Sequence, residues 1–154
     1  MRFALMVAVL ASLIALGLNV LGSKTIEWCT GVQPSDQEMV KFFLDPAMTL
    51  WYRSALIFSV VIVAPVLEEL YFRGVIFRGF ASKLPVGAAV AVSGFIFALV
   101  HFNAASMVAL WFLGMVFAWL YSRTRTILAP MTLHCFFNSL NVLLLIFFPE
   151  LGQL

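Results

Sequence analysis

Long uncharged stretches leave this chain few choices of fold. Phe3 to Gly22 is about twenty residues without a charged side chain, preceded by Arg2. At 1.5 Å per residue, a helix of that length crosses the ~30 Å hydrocarbon layer of a bilayer. Four more apolar segments follow, at Trp51 to Phe80, Leu84 to His101, Ala105 to Ser122 and Thr126 to Pro149. In lipid the backbone polar groups must be satisfied internally, which leaves helices or a closed barrel, and segments this long read as helices. The expected fold is therefore an all-α, polytopic transmembrane helical bundle of about five spans. Composition agrees: 64% of residues are hydrophobic and 10% charged, against roughly half and a quarter in soluble domains.

The chain divides into a first transmembrane span at residues 1–22, an extracytoplasmic loop at 23–50 and a helical core at 51–149. A cleaved signal peptide would usually have a shorter apolar region ending in a small-x-small site. Leu18-Asn19-Val20 is no such site, so the first span is read as retained. The loop carries Lys24, Glu27, Asp36, Glu38, Lys41 and Asp45 with Pro34 and Pro46. Ser35 followed by Glu38 has capping-box spacing, which predicts a short helix within Ser35 to Leu44. Placing the N-terminus in the cytoplasm puts Arg2, Arg78, Lys83, Arg123 and Arg125 on that side, against Lys24, Lys41 and Arg53 outside. The positive-inside rule prefers that orientation, with the C-terminus outside. The net charge is only +2 with basic residues spread over the loops, so nucleic acid is not an expected partner. Cys29 and Cys135 lie in a loop and a span respectively and are read as free.

One stretch breaks the apolar pattern. In Ala64 to Phe80, APVLEELYFRGVIFRGF, Glu68, Glu69 and Arg73 stand within what is otherwise a membrane span. Ionisable groups there are costly and point to function. Glu69 and Arg73 are four apart with the acid first, the spacing that pairs side chains along a helix face. Glu68 lies about 100° round the helix and cannot share that partner as easily. A carboxylate left over in this way suits a general base or acid. Pro65 should bend the helix and free a backbone carbonyl nearby. The plain alternative is a charge cluster that merely ends a helix.

Both histidines, His101 and His134, also fall in apolar segments. Gly87, Ala91, Gly94 and Ala98 form a small-residue stripe that His101 continues, and small residues let transmembrane helices approach closely. His134, Asn138 and Asn141 form a polar stripe that needs partners, because lipid supplies none. Interhelical hydrogen bonds that only hold the bundle would explain these residues without catalysis. The sharper arrangement gathers Glu68, His101, His134 and Asn138 round one pocket. Glu68 with one histidine would deprotonate a water, while the other histidine and Asn138 would donate to an oxyanion. Zinc held by Glu68, His101 and His134 is the alternative. The compact His-Glu-x-x-His signature is absent, and asparagine is a better oxyanion donor than zinc ligand, so a metal-free glutamate mechanism is preferred. Cys135 points to a different helix face from His134. Ser93, Ser106 and Ser139 lack a Gly-x-Ser-x-Gly context.

Glu68-Glu69-x-x-x-Arg73, Phe97-x-x-x-His101 and His134-x-x-x-Asn138, in this order on successive spans, resemble the CPBP intramembrane peptidases, also called the Abi or type II CAAX prenyl protease family. The resemblance covers about Ala64 to Leu145. It implies that Glu68 and His101 activate the water, that His134 and Asn138 stabilise the oxyanion, and that Glu69 and Arg73 support the site. It leaves metal-dependent and glutamate mechanisms both open. It also implies an endopeptidase whose partners are the lipid bilayer and a membrane-anchored protein or peptide, with a C-terminal tail as one substrate class. The compact chain looks bacterial, which places it in the inner membrane and makes a prenylated substrate the lesser choice. A non-catalytic immunity or scaffold protein, and a small proton-coupled transporter, are the competing functions. One tension stands against the single pocket. Counted along straight helices at 1.5 Å per residue, Glu68, His101 and His134 differ in depth by roughly 10 Å.

Overall fold

The computed structural model describes residues 2–32, 45 and 47–148. Among them are five helices and no strand: α1 (Arg2–Thr30), α2 (Leu50–Ala81), α3 (Val86–Leu99), α4 (Met107–Thr124) and α5 (Leu128–Phe147). The chain is an all-α helical membrane protein. The predicted helix within Ser35 to Leu44 lies outside the described residues. The first helix overruns the expected boundary at Gly22 and continues to Thr30, so part of the polar segment extends the span.

Helix α4 is the hub and packs against α1, α3, α5 and the second half of α2. Small residues make this possible. A Cβ built on Gly114 falls 2.8 Å from Gly94 Cα, and one on Gly94 falls 2.7 Å from Met115 N. Helices α3 and α4 therefore cross backbone to backbone at a glycine pair, the close approach that dispersion packing in lipid rewards. The stripe on α3 is only half as expected. Gly94 and Ala98 are buried, but Gly87 is exposed, and Ala89, Ser93 and Phe97 complete the inward face. On α1 the buried residues are again small, Ala8, Ala11, Ser12, Ala15 and Ser23. The central core joins the three alanines to Phe72, Phe97, Leu113, Phe117, Leu120 and Leu133.

Two features of helix geometry place the polar residues. First, α2 widens twice into π-helix, at Ser59–Val63 and Phe72–Phe77, on either side of the α-helical turn pair Ala64–Tyr71 that carries both glutamates. Such insertions often mark functional sites. Second, α3 is only 14 residues long, or about 21 Å. It is the one helix of the five too short for the length of a full span, whereas the other four have the length and apolarity to cross a membrane. The chain turns at His101 and Phe102, the latter with φ of +49°, and α4 begins only at Met107. His101 thus lies in a turn at the end of a truncated helix rather than within a span. The depth mismatch counted from straight, full-length helices does not arise.

Candidate active site

The His101 side chain is placed by a local need of the backbone. The end of α3 leaves carbonyls without helical donors. The His101 ring meets one of them, with Nδ1 2.7 Å from Phe97 O. A carbonyl only accepts, so Nδ1 carries the hydrogen and Nε2 of the neutral ring is left with a lone pair. Phe97 also stacks at a tilt against the same ring, with centroids 4.7 Å apart.

On α5, His134 Nδ1 lies 3.0 Å from Glu69 Oε1. The second oxygen of Glu69, Oε2, is 2.9 Å from Arg73 Nε, and both side chains are wholly buried. The expected Glu69–Arg73 pair is present, but it is incomplete as a description: Glu69 divides its two oxygens between an arginine and a histidine. The Arg73 guanidinium reaches Gly114 O with Nη2 at 3.5 Å and lies over the rings of Phe72, Phe97 and Phe117. Phe117 in turn stacks on His134, centroids 4.7 Å apart at 21°. The sequence patterns did not single out Phe117 or Gly114, since both read as ordinary span residues.

With both Nδ1 atoms committed, both Nε2 atoms face one oxygen. Glu68 Oε2 is 3.9 Å from His101 Nε2 and 3.8 Å from His134 Nε2. The structure therefore brings Glu68, His101 and His134 together. Glu68 and His101 keep 30% and 29% of their side-chain exposure while His134 keeps 6%, so the group is reachable from one side and closed on the other. Glu68 Oε2 itself is shielded and has no hydrogen-bond donor among the described residues. A buried, unsatisfied carboxylate oxygen requires an explanation. Gaps of 3.8 and 3.9 Å are too wide for direct hydrogen bonds.

The fourth candidate goes elsewhere with at least one of its two amide hydrogens. Asn138 Nδ2 donates to Val60 O at 2.8 Å. Asn141, the last of the α5 polar stripe, satisfies itself on its own helix through Phe137 O. A further polar link escaped the sequence patterns: Ser106 Oγ donates to Asn19 Oδ1 at 2.6 Å, tying α1 to the loop that follows His101. Cys29 and Cys135 are both free.

The same trio can be tested as a zinc site. Its donor atoms are those zinc takes, two imidazole nitrogens with their other N–H groups held and one carboxylate. Zinc, however, draws tetrahedral ligand atoms to within roughly 3.4 Å of one another, and the observed gaps exceed that. Among the described residues no three His, Cys, Asp or Glu side chains form a set that could hold a metal ion.

A family model described as type II CAAX prenyl endopeptidase Rce1-like matches residues 49–140. The chain belongs to this family. The matched region contains every residue of the trio, together with Glu69, Arg73 and Asn138, and leaves α1 outside it. The Rce1-like chain is also 35% identical over 83 residues to a Bacillus subtilis (strain 168) protein named "Putative membrane peptidase YdiL". That match covers 54% of this chain and 34% of the relative, so the chain spans about a third of the relative's length. No solved structure matches. Membership supports a membrane-embedded protease.

Proposed function

We propose that this chain is an intramembrane endopeptidase that cleaves a membrane-anchored protein or peptide, a C-terminal tail being the preferred class, with Glu68 as the general base. The observation that carries the proposal is the shielded Glu68 Oε2 between two imidazole Nε2 atoms whose own N–H groups are committed elsewhere. A water bridging these atoms gives a proton to Glu68 as its oxygen attacks the scissile carbonyl. The lone pair on His101 Nε2 orients the second water hydrogen. Glu68 then returns its proton to the leaving amine nitrogen, so the base of the first step is the acid of the second. His134 donates to the oxyanion only when Nε2 is also protonated, because its Nδ1–H is held by Glu69. In that state the buried carboxylate stabilises the imidazolium. Asn138 supplies its second amide hydrogen as the other oxyanion donor.

The host is proposed to be a bacterial inner membrane, with the N-terminus in the cytoplasm and the C-terminus outside, on the distribution of lysine and arginine. The test compares protein termini in membranes from cells carrying the wild-type chain and cells carrying Glu68→Gln at equal level. A tail cut only by the wild type identifies substrate and activity together. Identical termini, with folded Glu68→Gln protein, would sink the peptidase proposal in favour of a non-catalytic role.

A further inference from the structure

The geometry points to a second task for Asn138: we propose that it splints the break Pro65 makes in α2, and that this splint positions Glu68. In a π turn each N–H pairs with the carbonyl five residues back, and Ala64 N–H does so with Ser59 O. The next donor in that ladder belongs to residue 65 and its acceptor is Val60 O. Residue 65 is a proline and has no N–H. Val60 O is therefore deprived of its helical donor at a depth where lipid offers none. Asn138 Nδ2 donates to that same oxygen at 2.8 Å, from 78 residues along the chain. A polar group of the α5 stripe and a broken hydrogen-bond ladder on α2 satisfy each other.

The consequence for the site follows from where the splint lies. Pro65 is buried and Glu68 comes three residues after it, less than one turn on. Helix α5 grips α2 on both sides of the break: Asn138 holds Val60 before it, and His134 holds Glu69 after it. A hinge fixed at both flanks sets the direction of the intervening turn, and with it the 3.8 Å approach of Glu68 Oε2 to His134 Nε2. Without the first grip the Pro65 break is free to bend, while Glu69 remains tethered.

A Pro65–Asn138 cycle tests this. Pro65→Ala restores an N–H that Val60 O can accept from the helix itself, which makes the asparagine splint redundant. The purified full chain in detergent is compared as wild type, Pro65→Ala, Asn138→Ala and the double variant. Asn138→Ala is expected to lower the unfolding midpoint, and Pro65→Ala to raise it again in that background more than it does in the wild type. On the substrate found by the terminus comparison, the double variant is expected to recover several-fold in kcat over Asn138→Ala with KM unchanged. Recovery remains partial, since the oxyanion donor stays absent. Equal midpoint shifts from Pro65→Ala in both backgrounds would overturn the splint. Recovery of the midpoint without recovery of kcat would overturn the positioning of Glu68. If Asn138→Ala yields no folded protein, folded double variant supports the splint and unfolded double variant refutes it. The kcat arm rests on the peptidase proposal, but the midpoint arm does not, so the two ideas fail separately.

Discussion

Glu69→Gln is the substitution whose outcome can be worked furthest from the geometry. Glu69 offers one oxygen to His134 Nδ1 at 3.0 Å and the other to Arg73 Nε at 2.9 Å, in a wholly buried position. Glutamine has nearly the same shape but only one acceptor, and its amide nitrogen must face one of two N–H groups. Glutamine is neutral in either orientation, so the buried guanidinium loses its counter-charge. Removing one partner of a buried pair costs about 3–5 kcal/mol, which lowers a melting midpoint by on the order of 10 °C for a chain of this size. If the amide nitrogen faces His134, the imidazole moves its hydrogen to Nε2 and donates from a neutral ring, without the buried carboxylate that would stabilise the imidazolium. A weakened oxyanion donor lowers the rate, by up to the roughly 10²–10³-fold that losing one outright costs. Glu69→Gln is thus expected to lose stability and cleavage together. Glu69→Leu/Arg73→Met separates them, because replacing both members of a buried pair with apolar residues is often neutral. The double variant should melt above Glu69→Gln but below the wild type, since His134 Nδ1 is left without an acceptor, and still fail to cleave, as judged by thermal unfolding in detergent and substrate cleavage on the same preparation. A Glu69→Gln midpoint within about 2 °C of wild type, or wild-type cleavage by the double variant, would refute the reasoning.

Other consequences are open to simpler checks. Gly114→Ala places a Cβ 2.8 Å from Gly94 Cα, and since the clash is with backbone, α3 and α4 must separate at a cost of roughly 1–3 kcal/mol. A Gly114→Ala midpoint equal to wild type would show that the glycine crossing is not tight. Cleavage is expected to survive exhaustive dialysis against a strong chelator. Loss of activity that zinc alone restores would replace the proposed metal-free mechanism with a metal site. Glu68→Gln should melt like the wild type, because Glu68 Oε2 has no hydrogen-bond donor among the described residues to lose; a large fall in its midpoint would make Glu68 structural.

Much of this site was legible because ionisable residues in lipid cannot be incidental. Glu68, Glu69, Arg73, His101 and His134 stood out against apolar spans, and the i, i+4 spacing identified the Glu69–Arg73 pair. The freed carbonyl near Pro65 was also foreseeable, since proline always removes one donor. Its partner was not, because nothing in the spacing of α5 says which distant oxygen Asn138 will meet. The second duty of Glu69 was hidden for the same reason. Depth was misjudged because periodicity reports neither π-helical widening in α2 nor where α3 stops: Val100 to Ala104 contains no glycine or proline to mark the turn. Gly87 looked like packing and is exposed, while Gly114 looked ordinary and meets Gly94. A small residue signals a crossing only when its counterpart is known.

The early stop of α3 also changes what surrounds the protein. A 14-residue helix is about 9 Å shorter than the hydrocarbon layer it stands in, and the turn beyond it bears His101 and Asn103. Lipids next to this face must shorten or tilt to avoid covering polar groups, so hydrophobic mismatch thins the bilayer locally. On the proposed mechanism the nucleophilic water then has less apolar barrier to cross, and the acyl chains become part of the rate. Reconstituted in vesicles of increasing chain length, the protein is expected to cleave more slowly as the bilayer thickens. A rate indifferent to lipid length would mean that water arrives by a route walled by protein alone.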